Sequence, residues 1–190
     1  MVLVDHVQED YSVPWPPNRP LTRDDLDRIP DDGHRYELID GALIMTPAPA
    51  PEHQRAVAAL YRLLFAAAPP ELEVLFAPLD VVLSDDTVIQ PDVLVAHRDH
   101  FTERDLPMAP LLAIEVLSPS TKGVDLKLKW AKLEAAGCAA YWVVDTDTPS
   151  LIVWEMQDGA YAQVAKVAGD EAAHLTVPFD ETVVPAGLTL

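Results

Sequence analysis

The sequence predicts a mixed α/β (α+β) fold, a mixed β-sheet flanked by helices. Three observations predict it. Short apolar runs of strand length alternate with two longer amphipathic segments. Between residues 51 and 145 these follow in the order helix, strand, strand, strand, helix, strand (αβββαβ). Two Asp-Gly pairs, Asp40-Gly41 and Asp158-Gly159, sit between apolar runs and mark two-residue hairpin turns.

Each element has its own signal. Residues 1–20 end in "PWPPNRP", which suits neither a helix nor a central strand. They are expected to form a proline-rich arm, with Trp15 docking on the remaining domain, residues 21–190, or on a second subunit. Thr22 and Asp25 resemble a capping box, so a short helix is expected up to Pro30. "RYELIDGALIM" reads as an N-terminal hairpin. In "PEHQRAVAALYRLLFAAA", Val57, Leu60, Tyr61 and Leu64 recur at helical spacing, and Pro69-Pro70 end the helix.

"LEVLFAPLDVVLS" reads as a strand interrupted by Pro78, "VIQPDVLVA" as a second and "LLAIEVLS" as a third. A helix is expected from about Ser120-Thr121 to Gly137, with Leu126, Trp130 and Leu133 as its apolar stripe. "AAYWVVD" is a fourth buried strand, which after a helix can run parallel to the third. A hairpin about Asp158-Gly159 and a short C-terminal strand complete the chain.

Composition narrows the function. The 190 residues carry 13 basic and 31 acidic side chains, a formal charge of −18. So acidic a chain lacks the broad positive face that coats nucleic acid non-specifically. A local groove, or an ion in a small acidic site, stays compatible with it. The single cysteine, Cys138, allows no intrachain disulfide and suits a buried reduced thiol in the cytoplasm. No run reaches the roughly 20 apolar residues of a membrane helix.

One residue breaks the apolar pattern. Glu115 stands inside "LLAIEVLS", a strand apolar at both parities, as a doubly covered strand should be. A bare carboxylate there would cost several kcal/mol. It needs either a Lys or Arg partner or a divalent cation shared with another acid. Asp92, after Pro91 on a neighbouring strand, offers that second acid. Two carboxylates at one end of adjacent strands make a hard oxygen site suited to Mg²⁺ or Mn²⁺. Lys129, beside the apolar stripe of the second helix, can reach the strand ends and steady a phosphate or water. Its alternative is a surface i, i+4 pair with Asp125. Trp142 and Trp154 read as core or interface, and Asp145 and Asp147 as turn residues.

The ordered set "DDGHRYELIDGALI", "APEHQR", "LSDDTVIQPDVLV", "IEVLSPST", "DLKLK" and "AAGCAAYWVVD" resembles the Uma-two family of restriction-endonuclease-like proteins, within the PD-(D/E)xK nuclease superfamily. The resemblance implies a restriction-endonuclease-like core and an Mg²⁺- or Mn²⁺-dependent endonuclease acting on nucleic acid, DNA in the first place. Asp92 and Glu115 match the metal-binding acids, helped by the carbonyl of Val116 or Leu117. Lys129 matches the family's helix lysine, with Lys127 close by. The usual superfamily spacing would put that lysine at position 117, here Leu117. Glu37 matches an acid near the site, and His53, Gln54 and Asp80 match accessory positions. Two rivals remain: a catalytically inactive binding or assembly module, and a hydrolase using the acids on a glycoside without metal. The arm and late hairpins also leave room for a homodimer.

Overall fold

The computed structural model describes residues 18–30, 32–118 and 124–189, without the side chains of residues 124–126. Most of the arm, Trp15 included, and the expected helix start at Ser120-Thr121 lie outside the described residues. The first helix, α1 (Arg23–Leu26), is a single turn. Asp25 accepts the Thr22 N–H at 2.9 Å, as a capping acid should, and also takes the Arg19 guanidinium.

Strands β1 (Arg35–Ile39) and β2 (Ala42–Thr46) form the expected hairpin. Asp40 and Gly41 both have positive φ, 51° and 72°, as a tight hairpin turn requires. Gly41 also lies under Pro20, where a Cβ would fall 2.5 Å from the proline's own. Helix α2 (Pro51–Ala67) starts on a proline at its first turn, where the missing N–H costs nothing. Its residues Ala56, Val57, Leu60 and Leu64 are buried, and each large one stabilises by about 1.5–3 kcal/mol.

The two proline-containing runs divide differently from the expectation. β3 (Leu72–Phe76) and β4 (Val81–Ser84) belong to different sheets, as do β5 (Thr87–Ile89) and β6 (Val93–His97). Pro78 and Pro91 have no N–H to offer a ladder, so each run stops there and its second half pairs elsewhere. With β7 (Leu112–Val116), β8 (Ala140–Asp145), β9 (Ser150–Gln157) and β10 (Ala160–Ala168), the result is a six-stranded sheet ordered β10-β9-β8-β7-β6-β3. A four-stranded sheet is ordered β2-β1-β5-β4. β7 and β8 are parallel, as expected, and their other sheet neighbours are antiparallel. The tail adds a small sheet, β11 (Ala173–Leu175) with β12 (Glu181–Val183).

Alternation assigns the faces. Leu112, Ile114 and Val116 pack with Leu60 and Leu64 of α2 on one side of the large sheet. Ala113, Tyr141 and Val143 face the other side. That side is covered by Leu133 of the short α3 (Trp130–Ala135) and by Ile39, Val81 and Ile89 of the four-stranded sheet. The second face therefore carries a helix plus a sheet, where a helix alone was expected. Trp142 is core, and Trp154 stacks on Tyr141 at 6.0 Å. Asp145 accepts the backbone N–H of Asp147 and Thr148, the turn role its sequence suggested. Among the described residues no helix is long and apolar enough to cross a membrane.

Cys138 is fully buried and donates to the Ala140 carbonyl at 3.2 Å. Burial pushes its thiol up to about 11. The native protein is expected to leave a thiol reagent unreacted at about pH 8 and to react fully once unfolded in guanidinium. Rapid reaction of the native form would contradict the placement.

Candidate active site at the seam of two sheets

Glu115 lies on the face of β7 opposite α2, where alternation turns it toward the four-stranded sheet. It is 2% exposed. Its partner is Lys129, whose Nζ lies 3.0 Å from Glu115 Oε1 and 2.9 Å from Glu37 Oε1. Glu37 comes from β1, so one ammonium joins an acid from each sheet. Lys129 is 1% exposed. A surface pair is thereby excluded, because a fully enclosed amine must find its counter-charge inside. Lys129 closes a π-helical segment, Val124–Lys129, directly before α3. Such wide turns shift side chains around the axis and recur at functional sites. Lys127 in the same segment is exposed and takes no part in the buried group.

Asp92 occupies the step between Pro91 and β6. Extending the register of Val93 with Ile114 by one residue sets Asp92 opposite Glu115. Its Oδ2 accepts the Val116 N–H at 2.9 Å and lies 3.0 Å from His53 Nε2. Arg35 Nη1 stands 3.6 Å from Oδ1. Burial pushes the Asp92 carboxyl up, but the His53 contact, the Val116 N–H and the Lys129 charge together outweigh it. The net effect holds it below the usual carboxylate value.

The remaining expected residues sort by contact. Glu37, at 2% exposure, accepts the Gln90 backbone N–H at 2.6 Å as well as the Lys129 amine. Asp80 stands one step back and accepts the Gln90 side-chain amide at 2.7 Å. His53, from the first turn of α2, reaches Asp92 directly, while Gln54 is exposed on the cleft wall. Arg35 and Gln90 belong to the same cluster without having been singled out from the sequence. Each lay inside a quoted segment, "HRYELIDG" and "VIQPD", and both are visible only once β1 and β5 are known to adjoin.

A cleft of about 610 Å³ opens over the cluster, lined by Arg35, Thr46, His53, Asp92, Glu115 and Ser118. Among the described residues no three His, Cys, Asp or Glu side chains converge as a ready ligand set. Two opposed carboxylates on one cleft still fit Mg²⁺, which keeps several waters and takes one or two carboxylates plus substrate phosphate. The donors are hard oxygens, which disfavours softer ions.

Comparison with known proteins bears on the fold and the family. A crystal structure of a "putative nuclease belonging to DUF820" from Anabaena variabilis superimposes with a TM-score of 0.69 at 19% identity, covering 90% of this chain and 98% of that one. At that identity the likeness establishes the shared fold. No curated protein matches the chain. The profile of the Uma2 family, described as "Putative restriction endonuclease", matches residues 23–186, and the chain therefore belongs to the Uma2 family of restriction-endonuclease-like proteins.

Proposed function

We propose that this chain is a metal-dependent endonuclease that hydrolyses phosphodiester bonds of nucleic acid, DNA in the first place, with residues 21–190 acting as one catalytic unit. The observation that carries the reading is the pair of buried carboxylates, Asp92 and Glu115, opposed on adjacent strands and open to one cleft. Asp92 and Glu115 would hold Mg²⁺ or Mn²⁺, with the carbonyl of Val116 or Leu117. An ion there supplies charge stabilisation at a phosphate and acidifies water.

The chain's own groups do the rest. Lys129 places its amine at the edge of the acid pair, able to orient a phosphate or the attacking water. Glu37 holds that amine by a second contact, so the lysine keeps its place when Glu115 changes partner. Gln90 and Asp80 fix Glu37 in turn. His53 and the Val116 N–H hold Asp92 as a carboxylate facing its neighbour.

Calorimetric titration of Mn²⁺ and Mg²⁺ tests this without knowledge of the substrate. Binding is expected in the wild type, with and without a short DNA, and is expected to be lost in both Asp92→Asn and Glu115→Gln. No heat in either condition would overturn the reading in favour of a binding or assembly module that keeps the fold.

A further inference from the structure

The cleft continues away from Glu115. A second cavity of about 510 Å³ shares Arg35, His53 and Asp92 with the first and adds Tyr36, Gln90 and Phe76. Phe76 ends β3, the edge strand of the large sheet. Leu72 and Val74, at the same parity, are buried, yet Phe76 is 50% exposed. Its ring is supported by Tyr61 of α2, with centroids 5.0 Å apart and planes at 75°. Tyr61 is itself backed by Phe65 at 5.4 Å. A supported aromatic ring thus stands on the wall of a cavity that leads to the acid pair.

The polar groups of this cavity point the same way. Among the described residues, five enclosed side-chain polar atoms have no hydrogen-bond partner. Three of them, Arg35 Nε, His53 Nδ1 and Gln90 Oε1, belong to residues that line this cavity. Enclosed polar atoms are ordinarily satisfied, so three orphans on residues of one cavity ask for a partner. These atoms are themselves out of reach of solvent, and the donors the cavity offers are on the rest of the Arg35 guanidinium. The Arg35 side chain keeps 25% exposure, and its contact to Asp92, at 3.6 Å, is longer than a hydrogen bond. Its guanidinium has donors left for a phosphate.

The charge of the chain selects among nucleic acids. Tight duplex binding rests on many phosphate contacts, and 13 basic residues in a chain of charge −18 supply few. Stacking on an aromatic ring needs no net charge, but it needs a base that is free of its partner.

Building on the nuclease reading, we propose that the Phe76 cavity receives an unpaired nucleobase while Arg35 binds the adjoining phosphate, so that the substrate is a single strand or an unpaired end. The test is fluorescence anisotropy in EDTA, which prevents cleavage. The probes are labelled oligothymidylate of about 12 nucleotides and the same strand annealed to oligodeoxyadenylate. The expected result is single-strand binding roughly tenfold tighter than duplex binding, weakened about tenfold by Phe76→Ala and retained by Phe76→Trp. Phe76 is half exposed, so neither variant threatens the fold. Equal or tighter duplex binding, unchanged affinity in Phe76→Ala, or no binding of either probe would overturn the proposal. The metal titration reads the acid pair independently. A protein that binds Mn²⁺ but shows no strand preference would discard the base cavity and leave the nuclease reading standing.

Discussion

Glu115→Gln is expected to lower nuclease activity by at least about a hundredfold, since loss of a partner that merely orients a metal ligand already costs 10–100-fold. Glutamine keeps the size of the side chain and one oxygen that can still accept from Lys129. The charge that an ion would require is gone. The fold should survive, because the amide remains hydrogen-bonded where the carboxylate was. Cleavage of labelled DNA in Mn²⁺, followed beside the far-UV circular dichroism melt, separates these effects. A variant within a few-fold of wild-type activity would remove Glu115 from the chemistry.

Lys129→Met is expected to be the most destabilising single change in the cleft. It leaves Glu37 and Glu115, each 2% exposed, facing one another without their shared ammonium. Removing one member of a buried ionic group costs about 3–5 kcal/mol, mostly because the remaining charge has no compensation. Adding Glu37→Gln to Lys129→Met should recover part of that loss, and the size of the recovery measures the coupling. Lys127→Met, on the exposed side of the same segment, should stay within about 0.5 kcal/mol of wild type. Urea unfolding midpoints decide it. Equal midpoints for Lys127→Met and Lys129→Met would show that the buried triad contributes nothing to stability.

The fold was legible wherever the signal was local. The Asp-Gly turns specify their own backbone angles, and both hairpins formed where those dipeptides stand. The αβββαβ order and the parallel β7–β8 pair also followed from pattern and connectivity. The division of two runs between two sheets did not. Pro78 and Pro91 announce that a ladder must stop, but strand propensity carries no address for the next partner. The cluster shows the same limit. Glu115 announced itself as a charge in an apolar strand, and a partner was required on energetic grounds. That the partner is Lys129, held also by Glu37, depends on a π-helical turn and on a second sheet arriving from residues far away in sequence. Arg35 and Gln90 escaped notice because their importance is a matter of neighbours, and their local sequence is unremarked strand.

The amine between the sheets has a further consequence for how such chains diverge. Lys129 ties an acid of one sheet to an acid of the other inside the core, and removing that amine is expected to cost stability whether or not a phosphate is ever cut. A descendant that abandoned chemistry would still be selected to keep Lys129, since losing it leaves two buried acids without their shared cation, whereas losing Glu37 leaves Lys129 paired with Glu115. Asp92 contacts His53, Arg35 and the Val116 N–H at the cleft and no fully enclosed amine, so under the proposed function its retention reports chiefly on the metal site. Under the proposed function, the aspartate is the better witness to surviving activity within such a lineage, and the lysine is evidence first of an intact fold.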